Sequence, residues 1–176
     1  MRYAIIRRRP LEFARAQRMS KNLIRGLSIS GLIVILDQLS KWWITDVIMQ
    51  PPHSITVLPV FNIVLTHNRG VSFGMFAAGS DAGKWMLVGV ACVIVVFLLH
   101  WLYRATSKLN MLALGLIIGG AIGNVIDRIF IGAVVDFLDF HAFGYHWPAF
   151  NVADMSIFVG AALLIVESLF RREKSA

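Results

Sequence analysis

Apolar positions in this 176-residue chain gather into long runs, and four of them are long enough to cross a bilayer. A spanning helix needs about 20 mostly apolar residues. The runs over about 23–44, 85–103, 111–130 and 152–170 meet that length. The second contains VGVACVIVVFLL and carries no charge there; the other three hold carboxylates. Between the first two runs, within 46–84, ITVLPVFNIVLTHN is rich in β-branched residues and alternates loosely, which predicts one or two strands. The short segment 131–149 contains the strand-like GAVVDFLDF. The pattern predicts an all-α integral membrane protein, four transmembrane helices with a small external β-rich cradle resting on the bilayer. It is read as a single domain over 1–176, with 1–22 as a basic cytoplasmic tail, flexible or amphipathic. There is no internal repeat and no low-complexity tract.

Composition sharpens this picture. The chain is 57% hydrophobic and 15% charged, too few charges to coat a soluble core of that size. The net charge is +7, which in a soluble protein would raise nucleic acid as a partner. Here eight of the 17 Lys/Arg lie in the first 25 residues, immediately before an apolar run. That is a juxtamembrane flank facing anionic lipid, so no nucleic acid is expected. Arg104 and Lys108 follow the second run, and Arg171, Arg172 and Lys174 follow the fourth. Lys41, Arg69, Lys84 and Arg128 remain for the other side. The positive-inside rule then puts both termini in the cytoplasm. The first run continues into DQLSKWW without a small-residue cleavage site, so it is read as a retained helix and not a cleaved leader. Trp42, Trp43, Trp85, Trp101 and Trp147 mostly sit at span ends, an interfacial aromatic belt. Cys92, the single cysteine, is read as a small buried hydrophobe.

Charged groups inside hydrocarbon are expensive, and their default reading is functional. Asp37, Asp127 and Asp154 lie in or at the edges of spans. With the termini inside, the third run ends outward at Asp127 and the fourth begins outward at Asp154; Asp37 falls late in the outward-running first run. All three acids thus reach similar depth near the outer interface. Asn124 and Asp127 are three apart, as are Asn151 and Asp154, so each pair shares a helix face. Gly115, Gly119 and Gly123 recur every four residues, a ridge that lets another helix approach. Two carboxylates brought together cannot both ionise cheaply, which yields a base that activates water beside an acid that protonates a carbonyl oxygen. The helix dipole favours charge on Asp154 in a first turn and the proton on Asp127 in a last turn. Structural readings compete. Asn151 and Asp154 also suit an N-cap with its third-position acid. Asp127 suits an ion pair with Arg128. For Asp37 and Lys41, four apart, a helical salt bridge stands ahead of chemistry. His67, His141 and His146 lack metal-ligand spacing, so no metal is expected. No GxSxG or SxxK nucleophile motif is present. A proton-coupled transporter would also use buried acids, but no broken-helix pair or inverted repeat supports one. A non-catalytic scaffold would need only the glycine ridge and caps.

Five short boxes in order resemble lipoprotein signal peptidases, the signal peptidase II family. They are Asp37-Gln38 with Lys41; Asn68-Arg69-Gly70-Val71-Ser72-Phe73; Gly123-Asn124-Val125-Ile126-Asp127-Arg128; Val134-Val135-Asp136-Phe137; and Phe150-Asn151-Val152-Ala153-Asp154. The resemblance covers about residues 30–170. It implies an aspartic endopeptidase of the bacterial cytoplasmic (inner) membrane, working near the outer face. Its substrates would be diacylglyceryl-modified prolipoproteins, cut before the lipidated lipobox cysteine. It implies a catalytic pair at Asp127 and Asp154, supported by Asp37, Lys41, Asn68, Gly70, Asn124, Arg128, Asp136 and Asn151. It implies no cofactor, globomycin-type inhibitors, membrane lipid as a partner and a mobile external helix that covers the site; a monomer is expected. Two departures stand out. The second box reads NRGVSF where the family often has N-x-G-A-A-F, and the basic N-terminal stretch lies outside the common core.

Overall fold

The computed structural model describes residues 3–70 and 81–173, with side chains over 21–70 and 81–170. Among the described residues, four helices are long and apolar enough to cross a membrane. They are α1 (Tyr3–Trp42), α2 (Asp81–Arg104), α3 (Lys108–Phe130) and α4 (Val152–Glu173). Each matches an apolar run of the sequence. Helix α1 does more, because it begins at Tyr3: most of the basic stretch expected as a tail is helix, continuous with the first span. A π-helical turn, Trp43–Ile48, prolongs it at the other end.

Helix α3 is the hub and packs on α1, α2 and α4. The glycine ridge explains its closeness to α1. A Cβ on Gly115 would stand 2.8 Å from the Gly26 carbonyl, and one on Gly119 2.8 Å from that of Ser30. Backbones this near bond across the gap: Ser30 Oγ donates to the Gly115 carbonyl at 2.9 Å. Leu98 and Leu102 of α2 pack with Leu114 and Ile118 of α3 in a buried cluster. Cys92 is not in a core but on the exposed surface of α2, a correction to its expected burial. In lipid an outward apolar side chain costs nothing, so hydropathy alone does not distinguish inside from outside.

Among the described residues, four strands form one antiparallel layer in the order β1 (Ile55–Leu58), β2 (Phe61–Asn68), β3 (Val134–Ala142) and β4 (Tyr145–His146). The stretch expected as one or two strands is therefore a hairpin, and the VVDF segment opens β3. Strand β3 pairs with β2 so that Asp136 lies opposite Thr66 and Val134 opposite Asn68. Leu138 bridges Phe150, the residue just before the Asn151 cap of α4. Leu138 N–H donates to the Phe150 carbonyl at 2.8 Å, and Phe150 N–H donates back at 3.1 Å. The sheet thus fixes where α4 begins. Beneath it Ile44, Met49 and Phe137 form a second buried cluster. Val71, Ser72 and Phe73 of the second box lie outside the described residues, and the expected covering helix is not among the described elements.

Candidate active site

The polar residues singled out in the sequence meet where α1, α3, β3 and the start of α4 converge. Asp37, Lys41, Asp127, Asp136 and Asn151 are all buried. So many polar groups out of water must satisfy one another, and the contacts show how.

One half of the cluster centres on Lys41. Its ammonium lies 2.8 Å from Asp37 Oδ2 and 2.7 Å from Asp127 Oδ2. The helical salt bridge expected between Asp37 and Lys41 is present, but it is one arm of a bridge to α3. The other oxygen of Asp37 accepts the Ala153 N–H at 2.9 Å, tying α1 to the first turn of α4. Gly123 makes room, since a Cβ there would sit 2.5 Å from Asp37 Oδ2. Asp127 is held from three sides: besides Lys41, it accepts from Gln38 Nε2 at 2.9 Å and from the Val135 N–H at 3.1 Å. Its ion-pair partner is Lys41, where adjacency in sequence suggested Arg128. Its three contacts are all donors, one of them cationic.

The other half joins Asp136 to Asp154 through two asparagines. Asn151 Nδ2 donates to Asp136 Oδ1 at 2.7 Å, and its Oδ1 accepts the Asp154 N–H at 2.9 Å. The Asn151 N–H in turn reaches Asp154 Oδ2 at 3.3 Å, so the expected cap is also present. Asn124 Nδ2 donates to Asp154 Oδ1 at 2.8 Å, and Asn124 Oδ1 accepts from Lys41 at 3.3 Å, linking the two halves. Asn68 of β2 donates to Asp136, while its own Oδ1 accepts the Gly70 N–H at 3.0 Å. Gly70 has φ +107°, and a Cβ there would strike Leu87, so glycine is required. Arg128 donates to the Asn124 carbonyl at 3.3 Å and lies within electrostatic reach of Asp154, Asp136 and Asp127. Burial, opposed by hydrogen bonds and reinforced by the charge of Asp154, pushes the Asp136 carboxyl up to about 6. Asp154 itself is only half-buried and opens onto an apolar groove of about 520 Å³.

All ten site residues expected from the sequence thus belong to one network. Sequence reasoning missed two donors to Asp127. Gln38 was in plain view within the DQ box, one residue from Asp37. The Val135 N–H carries no side-chain signal at all.

These features define a class: a four-helix membrane enzyme with clustered carboxylates beneath a small sheet. The comparisons name it. The profile of the signal peptidase (SPase) II family matches residues 29–170, and the chain belongs to that family. It is a membrane peptidase. A lipoprotein signal peptidase of Alteromonas mediterranea is 44% identical over 155 residues, covering 87% of this chain and 85% of the relative. One of Ralstonia nicotianae is 46% identical over 147 residues, covering 82% and 84%. A bacterial membrane enzyme structure obtained by the in meso method at 2.3 Å resolution superposes with a TM-score of 0.73. It is 30% identical, covering 86% of this chain and 91% of that one.

Proposed function

We propose that this protein removes the signal peptide from diacylglyceryl-modified prolipoproteins at the outer face of the bacterial cytoplasmic membrane, with Asp136 and Asp154 as the reacting pair. The observation that carries the pairing is the contrast between Asp127 and Asp136. Asp127 is committed to Lys41, Gln38 and the Val135 N–H. Asp136 has its proton affinity raised by burial and by the charge of Asp154. An acid whose proton affinity is raised, set beside a second carboxyl, is the arrangement of an acid–base couple. Asp127, expected as a member of the pair, becomes the residue that positions it. Its bond to Val135 fixes the residue just before Asp136.

The chemistry follows. Asp154 sits in the first turn of α4, where the helix dipole favours its carboxylate. It takes a proton from a water molecule as the water oxygen attacks the scissile carbonyl carbon. Asp136 gives its proton to the carbonyl oxygen, and a tetrahedral diol forms. Collapse breaks the C–N bond, the amine leaves with the proton held on Asp154, and Asp136 recovers its own from the hydroxyl. Neither step needs a metal or cofactor. The cationic groups Lys41 and Arg128 offset the clustered acids. Lipid chains of the substrate, held in the bilayer, set the bond at the depth of the pair, which is catalysis by positioning.

The test uses purified protein in liposomes with a diacylglyceryl-modified lipobox peptide and its unlipidated twin. Only the lipidated peptide should be cut, and globomycin should block the cut. Asp136→Asn and Asp154→Asn should each lose about 10²–10⁴ in turnover while melting as the wild type does. Asp127→Asn should lose activity together with stability, about 3–5 kcal/mol, because Lys41 loses a buried partner. An Asp136→Asn variant that turns over normally would sink the pairing, and intact lipidated substrate with folded wild type would sink the function.

A further inference from the structure

The outer hairpin carries a polar pair that the peptidase chemistry does not use. His146 Nδ1 of β4 lies 2.9 Å from Asp139 Oδ1 and 3.0 Å from Oδ2 of β3. Asn62 of β2 donates to the same carboxylate at 3.0 Å. Asp139 is buried although it stands on a small exposed sheet, and its near neighbour His141 stacks on His146 with ring centroids 4.8 Å apart. Side chains alternate across a strand. Phe140 therefore faces the opposite side from Asp139 and His141, and Trp147, the residue after β4, lines the groove on the side of Phe140. On that opposite side Phe140, Trp147 and Phe150 form the wall of the apolar groove that ends at Asp154. Phe140 stacks on Phe61 at 4.7 Å and on Phe150 at 5.8 Å, so the inner part of the wall is braced. Its outer part is not. Strand β4 has two residues and two register pairs, and beyond them Trp147 is held through one backbone bond to Phe140. Trp147 is 70% exposed. The Asp139–His146 pair is a side-chain tie across this arm, beside the His141–His146 stack.

The groove's other wall is α4, through Met155 and Phe158, which are 48% and 76% exposed on the surface that faces lipid. Apart from Asp154, the lining is apolar. The groove is thus open to the bilayer along one wall, roofed by the sheet along the other, and closed at a reacting carboxylate. A chain that lies in hydrocarbon and must place its head at Asp154 fits this shape.

We propose that Asp139 and His146 are positioning residues for substrate. By tying the β3–β4 hairpin they hold Trp147 as the outer wall of the groove, and so set the preference for acyl-chain length on the lipid-modified substrate. The inference rests on the peptidase reading above, and the pair lies on the far face of the sheet from the reacting carboxylates. Its loss should therefore appear in substrate capture and not in chemistry.

The experiment compares lipopeptides with long and short acyl chains, and a third with its apolar signal-peptide side chains trimmed to alanine, on wild type, His146→Ala, Asp139→Asn and His146→Asn. Wild-type cleavage of the long-chain substrate comes first; without it the peptidase function itself fails, whatever the hairpin does. Given that cleavage, His146→Ala and Asp139→Asn should raise KM for the long-chain substrate roughly tenfold, with kcat changed less than about twofold. Preference for long over short chains should shrink by the same factor. His146→Asn, whose amide can stand in for Nδ1, should restore most of the preference. An unchanged long-to-short ratio in His146→Ala overturns the proposal. So does a loss confined to kcat, or a loss that follows the trimmed side chains instead of the acyl length.

Discussion

Asp127 and Asp136 are nine residues apart and both buried, yet their surroundings differ. Asp127 faces a cation and two further donors. Asp136 faces two asparagines and, across them, another acid. A carboxyl raised to about 6 by burial keeps its proton below that pH and loses it as pH rises through it. On the proposed assignment of Asp136 as proton donor, kcat/KM should decline on the alkaline side with an apparent value of about 6, belonging to the pair. A lipidated substrate expels water from the site, and desolvation raises a carboxyl further. The decline in kcat should therefore lie at higher pH than the decline in kcat/KM. Parallel pH profiles of the two constants check this, and a kcat limb at lower pH would contradict it. Lys41 illustrates how much a single residue gains from its fold. In the sequence it completes a helical i,i+4 pair with Asp37; in the structure the same ammonium also holds Asp127, and through it the strand that carries Asp136.

At the scale of elements, the site depends on how closely α1 and α3 approach and on how the sheet seats α4. Gly123→Ala places a methyl group 2.5 Å from Asp37 Oδ2, a carboxylate that is already bonded to Lys41 and Gln38. The helices must part or the network must break. The expected cost is about 1–3 kcal/mol with loss of activity, read by thermal melting and turnover. Gly89→Ala meets open space and should be silent in both assays. The hairpin makes a second prediction. Burial raises the Asp139 carboxyl, but bonds from His146 and Asn62 and the charge of the two imidazoles outweigh it and hold the group below its ordinary range. The folded state therefore prefers the carboxylate. The stabilisation is complete above the ordinary carboxylate range and is lost as pH falls through the depressed value. Hydrogen-exchange protection at the Trp147 amide should drop on that acidification, and in Asp139→Asn it should already be low at neutral pH. Equal protection in wild type and variant would show that the tie does not hold the arm.

The whole molecule is a bundle in which the lipid, and not a closed core, accepts most apolar side chains. Val93, Val96 and Phe97 of α2 are 71%, 67% and 63% exposed, and Cys92 shares that surface. The proposed orientation rests on charge. With the basic stretches at both termini and between α2 and α3 on one side, the sheet and the carboxylates fall on the other. Epitope tags at either end of the chain should be reachable only after the cells are permeabilised, while a tag in the β3–β4 turn should be reachable in intact spheroplasts. The reverse pattern would move the active site to the cytoplasmic face and overturn the proposed localisation.

Much of this was legible in the sequence, and the physical reason is range. Spans, strands and caps arise from neighbours within a turn or two: apolar runs of about 20 residues, alternation in the β2 and β3 stretches, Asn151 three residues before Asp154. The glycine ridge on α3 announced a close helix contact because its spacing is that of one helix face. What the sequence left open is what long-range contacts decide. Which helix meets the ridge, which acid takes Lys41, and which faces Asp154 depend on partners distant along the chain. Gln38 and Asp127 bond across 89 positions. Five boxes in order were enough to mark the cluster, but a shared depth in the membrane could not distinguish an acid bonded to Lys41 from one bonded to asparagines. That distinction rests on the register of β3 against β2 and on the Val135 amide, which exist only in the folded chain.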